Sequence, residues 1–398
     1  MADHPTRDDI DLVSGAFWGR NPHDAFTWMR ANAPVYWDGR AWGITRYQDL
    51  KTAAKDPHTF SNAQGIRPDA GPIPMMIDMD DPEHLRRRQL VNRGFTPRRV
   101  REREAEVRQT CDQIIDAVAE RGECDFVWDI AAPLPLIMIG NDLGVAPEDR
   151  DQLLAWSDAM LTALTGDADS VGPATEAFIG YTDYATRVIA DRTAEPRDDL
   201  MSVLCHAEVD GDRLDRDSLI HESLLILIGG DETTRHVISG GAWQLLHDRG
   251  QWERLCAEPT SLETGVEEML RWVSPIKNMN RTATRDVEVG DQLIHEGDDV
   301  LLLYPSANRD EDVFDEPFRF DVGRSPNDHV AFGFGTHFCL GNSLARLELK
   351  VMFEQLVARL PDIELVEADE PVYRAANFVS GYESMPVRFS PTRPVLAS

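Results

Sequence analysis

The sequence predicts a mainly α protein with small antiparallel β-sheets, and three observations carry that prediction. Helical periodicity dominates from about residue 83 to residue 275. Strand signals are short and fall at residues 34–44 and 284–303. Strand and helix do not alternate as βαβ units would require.

A chain of 398 residues, 42% of them hydrophobic, can bury a large core. It has no internal repeat, low-complexity block or long linker, so residues 1–398 are expected to form one domain. No stretch approaches the ~20 apolar residues of a membrane span. The best candidate, Leu224–Ile228, runs into Gly229, Gly230 and Asp231. The opening Met-Ala-Asp-His-Pro lacks the basic and apolar regions of a signal peptide. Cysteines at 111, 124, 205, 256 and 339 are odd in number and lack CxxC spacing, which argues against disulfides and zinc. A reducing, cytoplasmic setting is expected. A net charge of −30 argues against nucleic-acid binding. One island differs: Arg86, Arg87, Arg88, Arg93, Arg98, Arg99, Arg101 and Arg103 form either a solvated helix face or a docking patch for an acidic partner.

In chain order, Pro34–Trp37 and Ala41–Ile44 flank Asp38-Gly39, a hairpin signal. Asp80-Asp81-Pro82 opens a helix that sets His84 and Arg88 one turn apart. Arg98–Val118, Asp149–Leu164 and Ala174–Ala190 read as helices. Leu219–Leu246 is the most unusual helix. Asp215 or Asp217 can cap it, and at ~1.5 Å per residue it spans roughly 40 Å. Gly229-Gly230-Asp231-Glu232-Thr233-Thr234 stands at its centre, where each glycine costs on the order of 1 kcal/mol. Two glycines there imply a local distortion, close approach of a cofactor, or both. Leu262–Trp272 follows, with Glu268 and Arg271 on one face; buried, such a pair needs a further arginine or backbone partner. Thr284–Val289, Gln292–Ile294 and Val300–Leu303 read as strands between glycine and aspartate turns.

The most specific pattern is Phe332-Gly333-x-Gly335-x-His337-x-Cys339-x-Gly341. Leu340, Leu344, Leu347, Val351 and Leu356 then recur as the stripe of an amphipathic helix, so Cys339 lies at a helix N-terminus. There the macrodipole and free backbone N–H groups stabilise a thiolate. Gly333, Gly335 and Gly341 would let backbone approach a flat cofactor.

This pattern resembles the haem-binding signature of the cytochromes P-450, whose axial iron ligand is that cysteine. The resemblance extends over nearly the whole chain. It implies haem b (iron protoporphyrin IX) bound through Cys339, in a P-450 fold whose long central helix lies over the haem. The centre of that helix resembles the family's oxygen-activating motif, with Gly230 approaching the haem and Glu232 and Thr233 as the catalytic acid–alcohol pair. Oxygen activation needs protons carried into an apolar pocket, and a hydroxyl that holds water beside an acid open to solvent can supply them. Asp231 reads instead as a surface partner of Arg235. His84, Arg88, Arg281 and His337 match the family's propionate contacts, and Phe332 completes the cofactor-binding set. Two carboxylates entering an interior need such partners. Glu268-x-x-Arg271 and the run Ala307–Asp310 with Phe314, Pro317, Phe320 and Arg324 match structural landmarks of the family.

Within the family, substrate is chosen by a few variable segments. Here these offer Ile66, Met75, Met76, Ile77, Leu225, Ile228, Gly229, Val273, Ile276, Met279, Asn377 and Phe378, a set suited to an elongated apolar ligand. Segments beginning at Asn62, Pro74, Leu225 and Ala376 resemble the actinobacterial steroid side-chain hydroxylases. That resemblance implies oxidation of the terminal methyl (C26/C27) of cholesterol or cholest-4-en-3-one, on to the acid, using O2 and electrons from a ferredoxin and its ferredoxin reductase. A fatty acid, terpene or polyketide hydroxylase remains an alternative, as does a non-catalytic haem sensor or carrier. Arg87 and Lys350 are the residues on which a positive docking patch for the ferredoxin would rest.

Overall fold

The computed structural model describes residues 4–68, 70–163, 168–366 and 369–396. Eight helices position the site: α1 (Glu83–Val91), α2 (Glu104–Ala119), α3 (Pro133–Asp142), α4 (Arg150–Ala163), α5 (Val171–Ala194), α6 (Arg216–His247), α7 (Leu262–Val273) and α8 (Asn342–Arg359). The expected helix 98–118 is broken at Arg103, because Thr96 caps a separate short helix, Pro97–Glu102, with proline in its first turn. Leu164, the last residue of the expected helix 149–164, lies outside the described residues.

Helix α6 is continuous across 32 residues, about 48 Å long. Asp215 caps it by accepting the Ser218 N–H at 2.7 Å. Its two glycine pairs do different work. At Gly229 a Cβ would meet open space, whereas at Gly240 and Gly241 it would come within 2.7 Å of Val273 and 2.8 Å of Met269. The second pair is what lets α7 pack closely on α6. Around that contact lies the largest core cluster, in which Leu245, Met269, Leu349 and Phe353 are fully buried.

The hairpin forms as expected, Val35 opposite Ile44, with Asp38 accepting the Ala41 N–H at 2.8 Å and Gly39 at φ +100°. Its second strand, Trp42–Ile44, pairs in parallel with Asp299–Leu303, the one departure here from all-antiparallel sheets. Asp299–Leu303 pairs on its other side with Asn278–Ala283, and that strand with Phe60–Ser61. Asn278–Ala283 was not expected to be a strand. Asn278 and Asn280 are buried polar residues whose side chains hydrogen-bond Asn377 and Asp299, so the apolar pattern of a strand is missing. The expected strand at 284–289 is shorter, Val287–Val289, paired with Gln292–Ile294. Near the C-terminus, Pro386–Arg388 lies between Glu123–Asp125 and Glu364–Leu365. Among the described residues no helix is long and apolar enough to cross a membrane.

Candidate active site

A largely apolar cavity separates the middle of α6 from the loop ahead of α8. From α6 come Leu225, Ile226, Gly229, Gly230, Thr233, Thr234 and Val237; from the opposite side come Phe332, His337, Cys339 and Gly341. Cys339 is the one cysteine lining it, and all five are free thiols. Its N–H donates to the Phe332 carbonyl at 2.9 Å. Burial pushes the thiol up, while the Gly341 N–H, the charges of Arg88 and Arg346 and the Asn342 N–H pull it down. The helix-terminus placement read from the sequence is therefore present. The glycines divide differently from expectation. Gly335, at φ +76°, would drive a Cβ into the Ala54 carbonyl, so it serves packing, while nothing lies near a Cβ at Gly341.

One wall of the cavity collects donors. His84 is fully buried with Nδ1 3.1 Å from Asp81 Oδ1 and its Nε2 unpartnered. The His337 ring lies 4.1 Å away, its Nε2 also unpartnered. Burial, then the charges of His84, Arg281 and Arg88, push His337 down to about 2. Arg88 donates to the Phe338 carbonyl and Arg281 to the Asn280 carbonyl at 2.7 Å. Among the described residues no carboxylate forms an ion pair with either. Orphaned imidazole nitrogens and two unneutralised guanidinium groups fit the two carboxylates of a haem. Tyr304, whose hydroxyl meets Arg281, joins this wall and had no signal in the sequence.

Thr233 faces the cavity, its hydroxyl donating to the Gly229 carbonyl at 2.8 Å. Glu232 does not line it, contrary to the simple picture of an adjacent pair. One residue earlier on the helix, it points into an ion cluster: Arg235 Nη2 is 2.7 Å away, Arg374 Nη1 3.0 Å and His236 Nε2 3.8 Å. Burial alone would raise Glu232; hydrogen bonds to His236 and Asp158 and the charge of Arg235 hold it well below the usual range. Burial, then contact with Glu232, pushes Asp158 on α4 up to about 7. Asp158, 34% exposed, sits at the solvent edge of this cluster. Asp231, expected on the surface, is fully buried with both oxygens unpartnered, and burial raises it to about 7.

Of the expected substrate contacts, Met76, Ile77, Leu225, Gly229, Ile276 and Met279 line the cavity. Ile66 and Phe378 form an apolar cluster against which Ile77, Ile228, Ile276 and Met279 pack. Three expectations fail. Val273 fills the space over Gly240 in the core. Met75 is core on the α1 side. Asn377 turns away, accepting from Asn278 at 2.7 Å through its carbonyl and donating its amide to Val13. Phe95, Pro135 and Ile139 line the cavity unannounced, because nothing in their local sequence separates cavity wall from core.

Beneath the site, Arg271 grips Glu268 through two hydrogen bonds of 2.7 and 2.8 Å, both residues fully buried. Arg324 supplies the second arginine at 3.1 Å, and Asn327 and the Asp321 N–H complete the carboxylate's partners. The basic island is largely neutralised. Arg86 pairs with Asp212, Arg98 with Glu102, Arg103 with Glu106 and Lys350 with Glu263 and Glu354. Arg87, expected in a docking patch, is 22% exposed and reaches inward to fully buried Glu222, which also accepts the Met76 N–H at 2.8 Å. Its task is to pin the cavity loop. Arg93 and Arg101 are the exposed arginines left.

A half-buried cysteine near a helix N-terminus, lining one cavity with the threonine at the middle of α6, is the arrangement of a haem-thiolate protein. Comparison with known proteins agrees. The family model described as Cytochrome P450 matches residues 174–371. The Steroid C26-monooxygenase of Mycobacterium tuberculosis is 55% identical over 97% of this chain and 98% of its own length. The Steroid C26-monooxygenase of Mycolicibacterium smegmatis is 52% identical over 98% and 99%. Among solved structures, Mycobacterium marinum cytochrome P450 CYP268A2 in complex with pseudoionone superposes with a TM-score of 0.89 at 34% identity, covering 98% of this chain and 100% of its own. The chain belongs to the cytochrome P450 family of haem-dependent monooxygenases.

Proposed function

We propose that this enzyme oxidises the terminal methyl group, C26 or C27, of the side chain of cholesterol or cholest-4-en-3-one, to the alcohol and on to the acid. Identity of 52–56% over nearly the full lengths of relatives named Steroid C26-monooxygenase carries this reading. The apolar walls at Met76, Ile77, Ile276 and Met279 support it, since a long hydrocarbon can be held there end-on. Positioning alone then selects a primary C–H over weaker tertiary ones.

In the proposed mechanism Cys339 would hold the haem iron through its sulfur, and His84, Arg88, Arg281 and His337 would hold the propionates, with Gly230 and Phe332 as further haem contacts. The haem supplies O2 binding and activation. The rest falls to the chain. The Thr233 hydroxyl, now bonded to the Gly229 carbonyl, rotates to hold a water in the cavity. Glu232, replenished through Asp158, passes protons toward it, so the pair acts across the helix rather than side by side. Residues 1–398 work as one domain, because the lining runs from Asn62 to Leu349. A ferredoxin with its reductase supplies electrons in the cytoplasm, with Arg93 and Arg101 as the charges available to steer it.

Replacing Thr233 by valine keeps haem and substrate binding and lowers product formed per turnover of reductant by about 10²–10⁴-fold. A variant as productive as the parent would remove Thr233 from the proton path. For the substrate, a spectral titration of the ferric enzyme discriminates. Cholest-4-en-3-one at micromolar concentration should drive a low- to high-spin change. If fatty acids drive it and the steroid does not, the relevant relative is the Methyl-branched lipid omega-hydroxylase of Mycobacterium tuberculosis, 36% identical.

A further inference from the structure

A second, much smaller cavity of about 50 Å³ lies where residues 18–26, the end of α7, the segment 305–309 and the C-terminal residues 370–382 meet. It shares no lining residue with the haem cavity. Its chemistry is unusual because two cations line it and, among the described residues, no carboxylate forms an ion pair with either. Arg309 is 2% exposed, stacks 4.5 Å over the Trp272 ring and donates Nη2 to the Trp272 carbonyl at 2.8 Å, leaving Nε and Nη1 unpartnered. Lys277 is equally buried, and Nζ donates to Val273 and Ser274 carbonyls and to the Tyr373 hydroxyl at 2.6 Å. Its three protons are placed, but its charge is not neutralised. The His23 ring adds a buried, unpartnered Nδ1.

The neighbouring acids are committed elsewhere. Glu268 holds Arg271 and Arg324, and Glu311 holds Arg30 at 2.7 Å. Glu370 lines the cavity but is itself exposed, accepting from the Tyr382 hydroxyl at 3.0 Å. The positive potential registers on every base present. Burial and Arg309 lower Lys277 to about 7; burial, then Arg309, Lys277, Arg30 and Arg271, push His23 well down. Two like charges buried together without an anion are strongly unfavourable, and buried charges are found paired.

We propose that this cavity is a binding site for a small inorganic anion of the chloride class, held by Arg309 Nε and Nη1 and His23 Nδ1 in the field of Lys277. A single water needs only about 10–15 Å³ of such space, so the cavity has room for a monatomic anion. An anion here would tie residues 18–26, the segment around Arg309 and residues 370–382 to one another.

The test is thermal unfolding of the holoenzyme in chloride against gluconate at equal ionic strength. Chloride should raise the midpoint saturably, and Lys277→Met should raise the apparent chloride dissociation constant by at least about tenfold. Because Arg309→Gln can fail to fold, crystals of the unaltered holoenzyme grown in bromide provide the second readout, an anomalous peak beside Arg309. Equal midpoints in the two salts, or bromide crystals without that peak, would mean that water alone fills the cavity and would overturn the assignment.

Discussion

Replacing Cys339 by alanine abolishes monooxygenase turnover, and Cys339→His does the same while still offering the iron a ligand. The reduced carbon monoxide complex reports the difference: the parent shows the red-shifted Soret band of thiolate ligation and neither variant does. The effect is all or none because, among the described residues, no other thiol lines the cavity. Cys111 and Cys124 are buried in the core, and Cys205 and Cys256 do not line the cavity. His337, two residues earlier, packs against His84 on the donor wall. A Cys339→Ala enzyme that kept the shifted band would refute this assignment of the ligand.

Arg271→Ala is expected to be the most destabilising single change away from the cavity, at about 3–5 kcal/mol, because it strips a fully buried carboxylate of its bidentate partner. Arg324 remains 3.1 Å from Glu268, which keeps the loss toward the lower end. Arg271 also donates Nη1 to the carbonyls of Asn308 and Pro317 at 2.9 Å, so its removal frees the segment leading to the cysteine loop. A third to a half of a typical domain's net stability would be gone. Denaturant unfolding measures it. An unfolding free energy within about 1 kcal/mol of the parent's would show that the triad is not the strut.

What could be read from the sequence was what is local. The cysteine loop and the centre of α6 each compress their chemistry into a few adjacent residues, and the helices repeat at a period fixed by geometry. What escaped was set by partners distant in the chain. Glu232 looked like a neighbour of Thr233, but successive residues on a helix point about 100° apart, and Arg374, 142 positions away, fixes where its carboxylate goes. Val273 looked like a cavity residue until Gly240 supplied the space it fills. The strand Asn278–Ala283 was hidden because its buried polar side chains are amides and an arginine, bonded to the Asn377 carbonyl, Asp299 and the Asn280 carbonyl. Arg87 looked like surface charge because nothing nearby in sequence reveals Glu222.

The apolar cavity above Cys339 is proposed to present the end of a sterol side chain for oxidation. Product analysis of the enzyme, reconstituted with a ferredoxin and its reductase and supplied with cholest-4-en-3-one, tests it most directly. Oxygen is expected on the terminal methyl, as alcohol and then acid. Oxygen on the ring system or on the tertiary carbon, or no steroid product from an enzyme that oxidises a fatty acid in the same mixture, would contradict it.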